Sequence, residues 1–103
     1  MAYSVDWAEG AILAVAEAAE YIAKDSPSYA AALVAKAETA ANSLFQFPER
    51  GRIVPEYGES SVRELFVGRY RLIYRIRGGT VTIVAFVHGA RDLAALIPEI
   101  EQS

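Results

Sequence analysis

The sequence predicts an α+β domain in which an antiparallel helical hairpin packs on a small, mainly antiparallel sheet. Three observations carry this. Apolar residues recur at helical spacing through the first half of the chain, to Phe45. From Val62 onward strand-forming runs take over, and Tyr70 to Arg77 alternates with a period of two. Glycines at Gly68 and Gly78-Gly79 then divide that second region into strands.

Taken in order, Tyr3 to Val5 is a short N-terminal strand. Asp6 with Glu9 three residues later has the form of a capping box. A helix follows from about Trp7 to Lys24, with Ile12, Val15, Ala16, Ala19, Ile22 and Ala23 on its inner stripe. Gly10 is a small cost near its start. Asp25-Ser26-Pro27-Ser28 breaks the pattern. Ser26 suits an N-cap, and Pro27 suits the first helical position, where its missing N–H is not needed. The second helix carries Ala30, Leu33, Val34, Ala37, Ala41, Leu44 and Phe45 on one side. So short a connection makes the two helices antiparallel.

Phe47 to Arg52 ends the helical region, and Ile53 to Ser61, holding Pro55 and Gly58, reads as an irregular loop. Val62 to Val67 is a strand, and Gly68 turns it into a second, Arg69 to Arg77. Gly78-Gly79 is a two-residue hairpin signal. Val81 to Val87 returns antiparallel, and its Val, Ile and Phe content fits a central strand buried on both faces. Asp92 to Ile97 forms a short C-terminal helix or tail, interrupted by Pro98.

The length of 103 residues suits one domain, residues 1–103, with no linker or repeat. No apolar run is long enough to span a bilayer, and no leader-like segment opens the chain, so the expected location is cytoplasmic, away from any membrane. With no cysteine and one histidine, disulfides are excluded and a metal site is short of ligands. No glycine-rich phosphate cradle or nucleophile triad is present, so no cofactor is expected.

The net charge of −3 hides a division. Between Arg50 and Arg91, eight arginines stand against Glu56, Glu59 and Glu64. The rest of the chain sets Lys24 and Lys36 against ten acids. The overall acidity argues against a generic nucleic-acid binder, and the arginines act locally.

In the strand from Arg69, alternation sends Tyr70, Leu72, Tyr74 and Ile76 to one face. Arg69, Arg71, Arg75 and Arg77 go to the other, interrupted by Ile73. Two readings follow. The arginines form a solvated face paired with Glu56, Glu59 or Glu64, or they present planar forks to phosphates or to the carboxylates of an acidic partner. His88, before Gly89, is either a strand-end histidine without chemistry or a general acid or base. As a base it would activate a 2′-hydroxyl while Arg71 and Arg91 stabilise the anion formed at the adjacent phosphate. Glu64 is a second base or an ion-pair partner of Arg63 or Arg71. Tyr70 and Tyr74 read as core or rim residues, and Trp7 as packing at the helix–sheet junction.

Four features together resemble the RelE/ParE superfamily of bacterial toxins from type II toxin–antitoxin modules. They are the helical hairpin, FPERGRIVPE from Phe47 to Glu56, Arg63-Glu64-Leu65 followed by GRYRLIYRI from Gly68 to Ile76, and FVHGARDL from Phe86 to Leu93. The resemblance runs from Tyr3 to about Ile97. RelE-like members cut messenger RNA on the ribosome, whereas ParE-like members share the fold and poison DNA gyrase. Arg71 matches the arginine of the RelE-type strand, and Arg91 the later phosphate-binding arginine. The RelE-type lysine pair falls on Val62 and Glu64, and the C-terminal catalytic tyrosine at about Ile97. The HGARDL and PERGR passages look more like ParE-type members.

The resemblance therefore implies a ParE-like inhibitor of DNA gyrase that acts by contact. It also implies a cognate ParD-like antitoxin whose disordered segment folds onto the hairpin or across the arginine face, in a hetero-oligomer. Arg63, Arg69, Arg75, Arg77, Leu93 and Leu96 are the expected target or antitoxin contacts. The alternative it leaves open is a ribosome-dependent mRNA endonuclease using His88, Arg71 and Arg91, with Glu64 as a base. A third is a degenerate member that only binds antitoxin.

Overall fold

A computed structural model describes residues 2–102 of the chain. Strand β1 spans Ser4–Trp7, and helices α1 and α2 span Glu9–Ala23 and Pro27–Asn42. Strands β2 to β5 are Arg52–Ile53, Val62–Val67, Tyr70–Arg77 and Thr80–His88. A 3-10 turn at Leu93–Leu96 leads into a short helix α3, Ile97–Glu101. The sheet order is β1-β5-β4-β3-β2, with β1 parallel to β5 and every other pair antiparallel. Among the described residues no helix is long and apolar enough to cross a membrane.

The predicted start of the first helix is corrected. Trp7 belongs to β1, opposite Ile83, and Asp6 stands opposite Thr82. Ala8 donates its N–H to Ile83 O at 2.8 Å and caps α1 without a side-chain bond. Pairing with β5 therefore wins over a capping box between Asp6 and Glu9. The inner stripe of α1 is corrected as well: Ala11, Val15 and Ala18 are buried, whereas Ile12 and Ala16 are exposed. The second helix begins as expected. Ser26 Oγ accepts the Tyr29 N–H at 3.2 Å, and Pro27 occupies the first turn. Leu44 is buried, but Phe45 is not, at 42% exposure. The 3-10 turn Ser43–Phe45 breaks the helical spacing that placed both on one side. The Phe45 carbonyl accepts from Tyr3 N at 2.8 Å, tying the end of the hairpin to the chain's start.

Strand β3 has the predicted bounds. The region read as an irregular loop contributes the short edge strand β2, with Arg52 opposite Glu64 and Ile53 opposite Arg63. Two-residue turns join β3 to β4 and β4 to β5. The first residue of each, Gly68 and Gly78, sits at φ 58° and 59°, the left-handed region that favours glycine. Arg69 is thus a turn residue and not a member of β4. Pro98 sits in the first turn of α3 instead of breaking a helix, because that turn does not use its missing N–H.

Both faces of the sheet are covered. Leu33, Ala37, Ala41 and Leu44 from the hairpin side pack on Val67, Leu72, Tyr74, Ile83 and Phe86. Tyr70 and Ile76 join this cluster, as alternation along β4 predicts. The other face is sealed by Val54 from the loop and by Leu93 and Ile100 from the C-terminal segment, over Val62, Ile73, Val84 and Val87. A register shift beside Ile73 and Tyr74 sets Tyr74 opposite Ile83 and Ile73 opposite Ala85. Val84 and Ala85 consequently share the second face. The expectation that β5 is buried on both sides holds.

Candidate functional site

The arginine-bearing face of β4 is an interior surface. Arg71 is 6% exposed and Arg75 8%. Arg71 Nε donates to Glu64 Oε1 at 2.5 Å, and its two terminal nitrogens donate to Glu56 at 3.0 and 2.9 Å. The fork is therefore bidentate on Glu56, with its third position on Glu64. Glu64 itself is completely buried and also accepts from Arg52 Nε at 2.5 Å. The Arg52 guanidinium lies 5.0 Å from the centre of the Phe66 ring.

Gly51 closes this corner. Its N–H donates to Tyr74 Oη at 3.0 Å, and a Cβ there would meet Glu64 O and Tyr74 Oη at 2.5 Å. Glycine is needed at Gly51 because the backbone of β3 approaches so closely.

The charges reinforce one another. The Glu56 carboxyl is held below its ordinary value of 4.5, first by the hydrogen bonds from Arg71 and against the opposing effect of burial. The same pairing lifts Arg71 above its already high range. A depressed carboxyl contributes stability above its unfolded-state value and loses it as pH falls through the folded value. Glu56 is a third exposed, which moderates the effect. The expected result is a urea midpoint that holds from pH 7 to about pH 5 and falls below that, with a shallower fall in Glu56→Gln.

The remaining arginines are scattered. Arg75 reaches Glu101 of α3 at 3.4 Å and so pins the C-terminal segment to the sheet. Arg63 lies towards the hairpin side, opposite Tyr74. It donates to the carbonyls of Ser60 at 2.9 Å and Gly51 at 3.0 Å. Arg69 and Arg77 are exposed, and among the described residues neither has an ion-pair partner. A continuous exposed arginine face therefore does not form. Of the covering segments, residues 54–61 carry no periodic signal, and the helical spacing of Leu93, Leu96, Ile97 and Ile100 marks an apolar stripe without saying which sheet face it covers.

His88 ends β5 opposite Tyr70, edge-on to the Tyr70 ring at 5.4 Å. Its Nδ1 accepts the Ala90 N–H at 3.1 Å. In the neutral ring the proton therefore sits on Nε2, and the lone pair a general base would use is engaged. Tyr70 packs on the hairpin side, so Arg71 projects from the opposite face. His88 and Arg71 are not brought together. Arg91 is exposed, and its backbone N–H donates to His88 O at 3.0 Å. Leu93 is 1% exposed and lies in the second core, while Leu96 is half-buried at its margin.

Sequence reasoning named Glu64 as a partner of Arg71 and listed Glu56 among possible acids. It missed Arg52 as the second donor to Glu64, and Glu101 as the partner of Arg75. Arg52 lies on a two-residue edge strand and Glu101 ends a five-residue helix, elements too short for sequence spacing to set their register against the sheet.

Comparison with known proteins covers most of the chain. A family model described as the ParE toxin of the type II toxin–antitoxin system parDE matches residues 5–93. Toxin RelE2 of Caulobacter vibrioides is 35% identical over 88 residues, which are 84% of this chain and 96% of the relative. Among solved structures, a chain of the chromosomal ParDE system from P. aeruginosa superposes with a TM-score of 0.69 at 19% identity. It covers 84% of this chain and 95% of its own. A chain of the RelBE2 toxin–antitoxin complex from Mycobacterium tuberculosis gives 0.56 at 28% identity, over 85% and 99%.

Proposed function

The chain belongs to the ParE toxin family of type II toxin–antitoxin systems, and from that membership we propose that it inhibits DNA gyrase by protein–protein contact. In this reading it carries out no catalysis and is neutralised by a cognate ParD-like antitoxin. The observation that carries the proposal is the state of Arg71. Three of its five N–H groups donate to Glu56 and Glu64, it is 6% exposed, and it sits across the sheet from His88. A nuclease needs an arginine free to meet the phosphate and a base within reach of the same bond.

An antitoxin partner fits the outer surface of the hairpin. Ile12 is 52% exposed and Leu13 55%. Trp7, Ile12, Ala16 and Val34 line an apolar groove of about 430 Å³ between the helices. Such a groove suits the apolar stripe of an amphipathic segment that folds on binding.

Expression without antitoxin is then expected to raise the DNA-damage response while messenger RNA stays intact. His88→Ala and Arg91→Ala are expected to keep toxicity within about threefold of wild type, since an exposed side chain outside the contact surface contributes little. A primer-extension map showing new mRNA ends at ribosomal positions would oppose the proposal.

The second reading is the ribosome-dependent mRNA endonuclease, favoured by the relative named Toxin RelE2 and by the exposure of His88 and Arg91 at one strand end. It requires both alanine variants to lose toxicity while antitoxin affinity is retained.

A further inference from the structure

We propose that the cleft between the tip of the helical hairpin and the β3–β4 turn binds a nucleoside phosphate. The ring lies against tyrosines and the phosphate on Arg69 and Lys36. The cleft is on the hairpin side of the sheet, away from Arg71, and the inference does not depend on the gyrase reading.

The cleft measures about 390 Å³, within the range of small-molecule sites. Tyr21 of α1 and Tyr29 of α2 line it and are 72% and 66% exposed. Neither ring serves the core. Exposed aromatic rings beside cations are the elements with which proteins hold single bases, because every base has a face to stack. Lys24 stands 5.9 Å from the centre of the Tyr21 ring, adding positive charge at the rim.

Arg69 and Lys36 enter the cleft from the β3–β4 turn and from α2. Both are exposed, and neither has an ion-pair partner among the described residues. Asp25 is the one acid among the lining residues. The cleft is thus net positive in a chain whose net charge is −3.

His88 supplies a third donor. Its Nδ1 accepts from Ala90 N, and its ring rests edge-on against Tyr70, so the neutral ring presents Nε2–H. Two cations, one oriented neutral donor and two exposed aromatic rings suit a planar ring joined to a phosphate. A metal cation finds no ligand set here, and an apolar ligand would leave the donors unpaired.

The chemistry is common to a free mononucleotide and to a nucleotide within a single strand. Isothermal titration calorimetry on the antitoxin-free chain separates these. The titrants are AMP, adenosine, inorganic phosphate, and short oligo(dA) and oligo(rA). Saturable AMP binding is expected, weaker by about tenfold or more in Arg69→Ala while adenosine binding is unchanged. Tyr29→Ala is expected to weaken AMP and adenosine alike by about fivefold or more.

Both positions are exposed, and circular dichroism checks that the variants fold. Oligonucleotides that bind more tightly than AMP, with an affinity that falls as salt rises, identify a single strand as the ligand. Equal affinity identifies the free nucleotide, and either result upholds the site. Absence of saturable binding by AMP and by both oligonucleotides overturns it. So does phosphate binding as tightly as AMP, or indifference of AMP binding to both variants.

Discussion

Glu64→Ala is expected to lower the folding free energy by about 3–5 kcal/mol, the usual loss when one partner of a buried ion pair is removed. The carboxylate is wholly buried and holds Arg52 and Arg71, each at 2.5 Å. Without it, Arg71 remains 6% exposed with Nε unpaired and Glu56 as its remaining carboxylate. Arg52 also loses its anchor, and with it the edge strand β2 loses its side-chain tie to β3.

The neighbours provide the contrast. Arg52→Ala, whose side chain is 55% exposed, should cost about 1 kcal/mol or less. Glu64→Gln keeps an acceptor oxygen but no charge and should fall between. Urea unfolding of the three variants at pH 7 is the measurement. Equal midpoints for Glu64→Ala and Arg52→Ala would mean that the network does not hold the β2–β3–β4 corner.

Leu93→Ala is expected to cost about 2–5 kcal/mol, the range for a leucine lost from a packed core. Leu93 is 1% exposed and packs with Ile73, Val87 and Ile100 beneath the C-terminal segment. Its loss loosens the cover of the second sheet face, which Arg75 and Glu101 then hold by one partly exposed ion pair at 3.4 Å. Limited proteolysis should therefore cut Leu93→Ala first within residues 94–101, and urea should unfold it earlier than wild type. Leu96→Ala, half-buried at the margin, should lose less on both readouts.

The same geometry decides which surface variants are clean probes of target binding. Charge reversal at Arg75 places a carboxylate beside Glu101 in an 8% exposed position and disturbs the fold. Reversal at Arg77, exposed at the end of β4, does not.

Much of this architecture is legible because it is local. Ser26 and Pro27 announce α2, alternation assigns Leu72 and Tyr74 to the hairpin side, and Gly68 and Gly78 mark their turns. What escapes sequence reading depends on contacts far along the chain. Asp6 reads as a cap until it is seen opposite Thr82 in the sheet. The arginines of β4 read as a presented face because residues 54–61 are irregular, and the apolar spacing of Leu93, Leu96, Ile97 and Ile100 does not say that this segment folds over them. The register shift beside Ile73 and Tyr74 leaves no mark in the spacing of apolar residues.

The candidate residues divide in the same way. Glu64 as a partner of Arg71 follows from two adjacent strands and is readable. The Nδ1 bond that ties up His88, and the cleft that sets Arg69 and His88 beside Tyr21 and Tyr29, need three-dimensional closure of the hairpin on the sheet.

Gyrase inhibition is tested by a DNA supercoiling assay with purified, antitoxin-free protein, read for both loss of supercoiling and trapped cleaved DNA. Inhibition with accumulation of double-strand breaks is expected, unchanged in His88→Ala and relieved by added antitoxin. Full supercoiling activity in the presence of folded protein that is toxic in cells would contradict gyrase inhibition.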